Sequence, residues 1–166
     1  MSGPFFGKHR GEVQNNLDPL GLGRIQVSVP GLLDTSLAWA MPCLPGAGPN
    51  VGLFVIPPKG AKVWVEFERG DLDYPIWSGG FWGSGETPAT LGPTQPMTRV
   101  WAGDNFKIEI LDAPGTGSLT ISLTTPGGTA SLAADASALE LKWGSSSVKL
   151  AVDGVSINGS NLKVLP

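Results

Sequence analysis

The chain of 166 residues is poor in the side chains from which most catalytic and metal centres are built. Cys43 is its one cysteine and His9 its one histidine, so an intrachain disulfide is excluded and no Cys/His set exists for a structural zinc site. Charged residues are scarce at 15%, and the net charge is -3. That balance argues against a protein whose affinity comes from neutralising phosphates or anionic lipid. No apolar run approaches the roughly 20 residues that a membrane helix needs. The N-terminus MSGPFFGKHRGE lacks the basic start and apolar block of a secretory signal, so the expectation is a chain made in the cytoplasm that leaves, if at all, by another route.

Helical periodicity is also missing. Gly (24) and Pro (15) interrupt nearly every window long enough for a 3.6-residue repeat. What the sequence has instead is alternation. In GRIQVSVP, Ile25, Val27 and Val29 fall on one face of a strand, and KVWVEFE repeats the pattern with Val63, Val65 and Phe67. With Lys8 to Val13, Ala38 to Met41, Gly52 to Ile56 and Pro75 to Phe81, these give five or six short strands within about eighty residues, the spacing of a small closed barrel. The stretch 83–98, GSGETPATLGPTQPMT, is polar, Pro-rich and without period, and reads as a linker. The expected division is therefore a barrel over 1–82, a linker over 83–98 and a second unit over 99–166.

The second unit has a different texture. FKIEIL, SLTISLT, ALELKW, VKLAV and VSI alternate strictly and are joined by turn sequences such as DAPGTG, TPGG, GSSS and DG. Such strands bury a continuous core only by stacking on neighbours. About sixty residues with so few large side chains would leave a thin sheet with bare faces and edges, an aggregation liability. Other copies of the same chain are the natural supplier of the missing face. If copies of the chain wrap together, Leu139, Leu141, Val148, Leu150, Val152, Val155 and Ile157 are expected at the shared axis.

Four pieces, in order, carry a resemblance: DPLGLGRI entering a strand, the WAMPCLP segment, IPPKGAKVWVEFE, and GDLDYPIWSGGFWG. Over roughly Gly7 to Gly83 the chain resembles the N-terminal OB-fold domain of the central spikes of contractile injection systems, which include phage baseplate assembly protein V and the VgrG proteins of type VI secretion. The resemblance implies an all-β protein, an OB-fold barrel followed by a triple-stranded, intertwined, trimeric β-helix needle. It implies a structural, non-enzymatic homotrimer without cofactor, borne in a phage tail or a related injection particle, that pierces a target envelope on sheath contraction and touches that envelope only transiently. The OB fold begins almost at Met1, where larger relatives carry a hub domain, so the expected hub is a separate trimeric protein. Phe5, Phe6, Lys8 and Arg10 are the expected contacts to it, because aromatics and Arg anchor interfaces. The linker is too short for the lysozyme domain that some phage spikes insert. The terminal NGSNLKVLP has no His, Cys or carboxylate side chain for the iron site proposed in some spikes, so a PAAR-type tip protein is expected on a blunt end.

Other chemistry is weakly represented. Asp71 and Asp73 form a carboxylate pair, but Asp in a strand connection usually binds its own backbone. Arg69-Gly70-Asp71 matches an adhesion triplet that arises readily by chance. Cys43 lacks a dyad partner and reads as a small apolar filler. His9, between Lys8 and Arg10, reads as a solvated polar residue or a hub contact. Asn158-Gly159-Ser160 matches a glycosylation acceptor, although a Gly-containing turn explains it equally. The six tryptophans, with Phe67 and Phe81, raise the alternative of an OB-fold protein binding single-stranded nucleic acid, against which stands the absence of a basic groove. A polysaccharide-degrading tail enzyme is the third class, without an acid/base constellation to support it.

Overall fold

The computed structural model describes residues 4–34, 38–88, 92–159 and 161–165, and the chain divides into two compact units, Met1–Glu86 and Thr87–Pro166. Among the described residues there is no α-helix, only two short 3-10 turns at Glu68–Gly70 and Gln95–Met97. Residues 89–91, which fall in the expected linker, lie outside the described residues.

In the first unit β1 (His9–Asn15), β2 (Ile25–Ser28), β3 (Trp39–Pro42), β6 (Lys62–Phe67) and β7 (Pro75–Gly80) close into a barrel in the order β1-β2-β3-β7-β6. The alternation read in the sequence is what closes it. Ile25, Val27 and Val29 of one segment and Val63, Val65 and Phe67 of another all point inward and are buried, together with Val13, Ala40 and Trp77. Between β3 and β6 the chain makes only a two-residue hairpin, β4 (Ala47–Gly48) with β5 (Val51–Gly52). The strand expected over Gly52 to Ile56 does not form. Leu53, Phe54 and Val55 run without a ladder partner because Gly52 ends the pairing and Pro57-Pro58 supply no amide donors.

Strand direction gives the barrel two ends. His9, Phe67 and Pro75 mark the end where the N-terminal segment enters, with the Phe5 amide donating to the Gly70 carbonyl at 2.8 Å. Asn15, Ile25, Pro42, Lys62 and Gly80 mark the other, from which the chain leaves after β7.

The second unit is one antiparallel meander of eight strands: β8 (Thr98–Ala102), β9 (Phe106–Leu111), β10 (Ser118–Thr125), β11 (Gly128–Ala134), β12 (Ala138–Trp143), β13 (Ser146–Ala151), β14 (Gly154–Ile157) and β15 (Leu162–Val164). Three of these, β8, β11 and β15, are not among the strands read from the sequence. β11 is GTASLAA, whose alternation is hidden by small residues, and the other two are edge strands of few residues. The β13–β14 connection pairs Ala151 with Gly154, so Val152 and Asp153 form the two-residue turn and Gly154 takes a φ of +120°.

Candidate functional site

The register of the meander aligns its apolar residues into continuous rows. One row runs through all eight strands as Trp101, Ile108, Ile121, Leu132, Leu141, Val148, Ile157 and Leu162, each directly opposite the next. A second row, two residues along each strand, is Ile110, Leu119, Ala134, Leu139, Leu150, Val155 and Val164. Side chains two apart on a strand share a face, so both rows lie on the same side of the sheet. The other side is polar: Glu140 stands opposite Lys149, which stands opposite Ser156, and Lys142 is opposite Ser147. Ion pairs join Lys142 to Glu140 at 2.9 Å and Lys107 to Glu109.

Among the described residues nothing within the second unit covers its apolar side. Every residue buried at a barrel-like level belongs to the first unit, and among the described residues the second unit contains no fully buried side chain. A shallow concavity of 580 Å3 lies on this face, lined by Ile121, Leu132, Leu141, Trp143, Val148 and Ile157. A single antiparallel sheet with one bare apolar face lacks the second layer that a stable domain requires.

Six of the seven expected axial residues, Leu139, Leu141, Val148, Leu150, Val155 and Ile157, fall on this face. Val152 does not. It occupies the β13–β14 turn and is 96% exposed, because the hairpin closes one residue earlier than the Asp-Gly pair suggests.

At the N-terminal end of the barrel the four expected contact residues are placed differently from one another. Phe5 packs edge-on against Phe67 with ring centres 6.4 Å apart, whereas Phe6 is 68% exposed. Lys8 donates to Glu66 at 3.0 Å and to the Ser78 hydroxyl at 2.8 Å. The Arg10 guanidinium lies over Trp64 and Phe81, 5.4 and 5.0 Å from their centres. His9 is partly buried rather than fully solvated: its ring is 5.3 Å from Phe67, and Nε2 is buried with no hydrogen-bond partner among the described residues. Cys43 is exposed rather than a core filler, and its neighbour Leu44 packs against the core instead.

Asp71 accepts the Asp73 amide at 3.1 Å, the local backbone bond expected of a connecting loop. Among the described residues no three His, Cys, Asp or Glu side chains are grouped to hold a metal ion. Asn158 sits at φ +49° and its side-chain oxygen accepts the Ser147 amide at 2.8 Å, so it serves the turn; Ser160 lies outside the described residues.

One cluster escaped the sequence reading. The Asp18 carboxylate accepts the amides of Leu20, Leu22 and Arg24 and the side chain of Arg24, with the Nη2 contact at 2.7 Å. Arg24 lies over Trp39, 5.2 Å from the ring centre. The Arg24 guanidinium, against the opposing effect of burial and with lesser help from each of the amides of Leu20, Arg24 and Leu22, holds the Asp18 carboxyl far below the usual carboxylate range. The signal was present as an Asp and an Arg bracketing PLGLG, a spacing that lets a tight loop fold back on its first residue.

No curated protein matches the chain. Residues 9–82 match the family described as the type VI secretion system/phage-baseplate injector OB domain. Residues 100–163 match the phage baseplate V C-terminal trimerisation domain, and the two matches together span most of the chain. The closed five-stranded barrel and the coreless sheet with its uncovered apolar face are the two parts these families describe, and the chain belongs to the baseplate spike family of phage tails and type VI secretion systems, a structural family built from an OB domain followed by a trimerisation domain.

Proposed function

We propose that three copies of this chain form the central spike of a contractile injection particle, with the trimerisation domains wound into a triple-stranded β-helix needle over residues 99–166. The barrels, 1–82, dock on a separate trimeric hub, and 83–98 connects barrel to needle. The observation that carries this reading is the pair of apolar rows running across the eight-stranded sheet with no cover inside that unit. Three such faces turned inward bury one another, and strands held on both sides by neighbouring chains cannot peel off singly under load. The polar side, with Glu140, Lys142 and Lys149, then meets water.

The hub contact is assigned to the N-terminal end of the barrel, with exposed Phe6 as its anchor beside Phe5, Lys8 and Arg10. At the opposite extremity of the chain, Leu162, Val164 and Leu165 are exposed, and a PAAR-type tip protein is the proposed cover for them. On sheath contraction the needle concentrates the force of the moving tube on the target envelope.

The test is the mass of the purified protein by light scattering, with negative-stain imaging of the same sample. A trimer bearing a narrow rod is expected. A well-folded monomer at micromolar concentration overturns the needle and the mechanical function with it.

A further inference from the structure

The exit end of the barrel carries a second uncovered apolar surface. The loop after β1 and the segment after β5 meet there and enclose a saddle of 630 Å3 lined by Leu22, Pro42, Leu44, Val51, Leu53 and Phe54. Phe54 is 68% exposed, and Leu20, Leu22, Val51 and Leu53 are exposed as well.

The saddle is held rigidly. On one side, the Asp18 carboxylate ties down the amides of Leu20 and Leu22 and is itself neutralised by Arg24, with the Asp18 side chain only 4% exposed. On the other, the Leu53 amide donates to the Gly46 carbonyl at 3.1 Å. The two sides touch through Gly23 at φ +77°, where an added Cβ would lie 3.2 Å from the Phe54 ring and 3.0 Å from Ile56 Cδ1. A larger residue would push the halves apart. Exposed leucines and a phenylalanine on a loop this constrained are preorganised for a partner, since little entropy remains to be lost on contact. The lining carries no ionised side chain, so the partner it fits is apolar and not a nucleic acid or an anionic surface.

We infer that in the trimer this saddle receives the exposed Trp82, which follows Phe81 of the stacked Trp64–Phe81 pair, from the barrel of the next copy. Three observations select that occupant. The chain leaves the barrel at this same end, after Gly80, and runs on into a trimerisation domain. Tethering three barrels by short connectors to one trimer sets their mutual concentration near the millimolar range, where even a small apolar contact closes. Second, a ring of three needs two different complementary patches on each copy, on opposite flanks. In the barrel order β1-β2-β3-β7-β6, the saddle sits where β2 and β3 begin and end, and β6, which bears Trp64, lies across the ring from them. Third, that flank carries an exposed aromatic: Trp64 and Phe81 stack with centres 4.7 Å apart under Arg10, and Trp82, the next residue of the chain, is 65% exposed. Aromatic side chains of this kind dominate the centres of protein interfaces.

The contact is separate from the needle interface, adjoins Arg10 of the assigned hub contact through Trp64 and Phe81, and depends on the trimer proposed above. The experiment is amide hydrogen exchange on the full chain, read over residues 47–56, where few backbone hydrogen bonds slow exchange from within the barrel. In the wild-type trimer these amides are expected to exchange about tenfold more slowly than in a Leu150→Asp chain that light scattering shows to be monomeric. Trp82→Asp is the decisive variant: it is expected to raise exchange over 47–56 to the monomer rate while the mass stays trimeric. Phe54→Asp is expected to do the same from the other side of the contact. If the wild type is trimeric and 47–56 exchanges at the monomer rate, the saddle is open and the inference falls. If Trp82→Asp leaves those amides protected, another surface covers them, and protection that appears only on adding the hub assigns the saddle to the hub. A monomeric wild type instead removes the trimer itself, an outcome read from the mass alone.

Discussion

Leu139 and Leu150 stand directly opposite each other across β12 and β13, on the face that nothing within their unit covers. One step along, Leu141 and Val148 repeat the pairing. Cross-strand pairs of this kind contribute about 0.2–1 kcal/mol each to a hairpin. Full burial of a leucine side chain is worth about 1.5–3 kcal/mol, and in a single chain that larger gain is unrealised. Folding of the second unit and its association are therefore one event.

Leu150→Asp tests this directly. In the trimer it brings three carboxylates together on an apolar axis, where neither desolvation nor like-charge repulsion is offset. The expected result is a monomeric chain by light scattering whose near-ultraviolet circular dichroism still reports the buried Trp77 of an intact barrel. A trimer of unchanged mass would show that this face is not the interface.

The barrel is expected to behave as the reverse case. Ile25 is fully buried, and Ile25→Ala removes three carbons from a core of valines that cannot collapse around the gap. The loss should be about 2–5 kcal/mol in barrel stability by denaturant titration. The mass should remain trimeric, because none of the apolar rows of the second unit is touched.

Legibility in the sequence followed the strength of alternation. The segments around Ile25 and Val63 were readable because large apolar residues recur at every second position, with only Trp64 breaking the polar face, and the structure buries every expected member of both. β11 was unreadable because Gly128, Ala130, Ala133 and Ala134 give no contrast between faces, and only its neighbours Ile121 and Leu141 fix where it lies. Leu53, Phe54 and Val55 look like a strand by composition, yet Gly52 and Pro57-Pro58 leave them unpaired, and they line a surface instead. The uncovered apolar face was legible as a stripe, Leu139 through Ile157, but the one-residue shift of the hairpin that expels Val152 depends on which pair closes the turn, and Asp153-Gly154 was the stronger local signal. The Asp18 cluster went unread because its hydrogen bonds join residues within one loop and leave no periodic trace, its one signal being the Asp and Arg that bracket PLGLG.

His9 offers a test of the barrel's N-terminal end. Its Nε2 is buried beside Phe67 with no partner among the described residues, and an orphaned buried polar atom costs stability. His9→Leu keeps the apolar contact and removes the unpaired nitrogen, so the barrel should gain about 1 kcal/mol by denaturant titration. A loss of stability would mean that the ring nitrogen is satisfied in solution by a group or water that leucine displaces.

Asp18→Asn probes the loop beneath the saddle through its pH dependence. The wild-type carboxyl is held far below its ordinary range, mainly by the Arg24 side chain and further by the amides of Leu20, Arg24 and Leu22. In the unfolded chain the same group titrates near 3.9, so between the two values only the unfolded state takes up the proton. The carboxylate's contribution is thus fully present above about pH 5 and is lost progressively as pH falls from about 4 toward the folded value. The substituted amide would accept fewer of these bonds and carry no charge for Arg24, so the variant should melt at a lower temperature than the wild type at neutral pH. Below about pH 4 the gap should narrow, because only the wild type loses stability through this group. Thermal melts of the two proteins in steps from about pH 3 to 7 measure the difference. A gap that stays constant across that range would mean that Asp18 carries no depressed titration in the folded barrel, and that the loop bearing Leu20 and Leu22 is held by its glycine geometry alone.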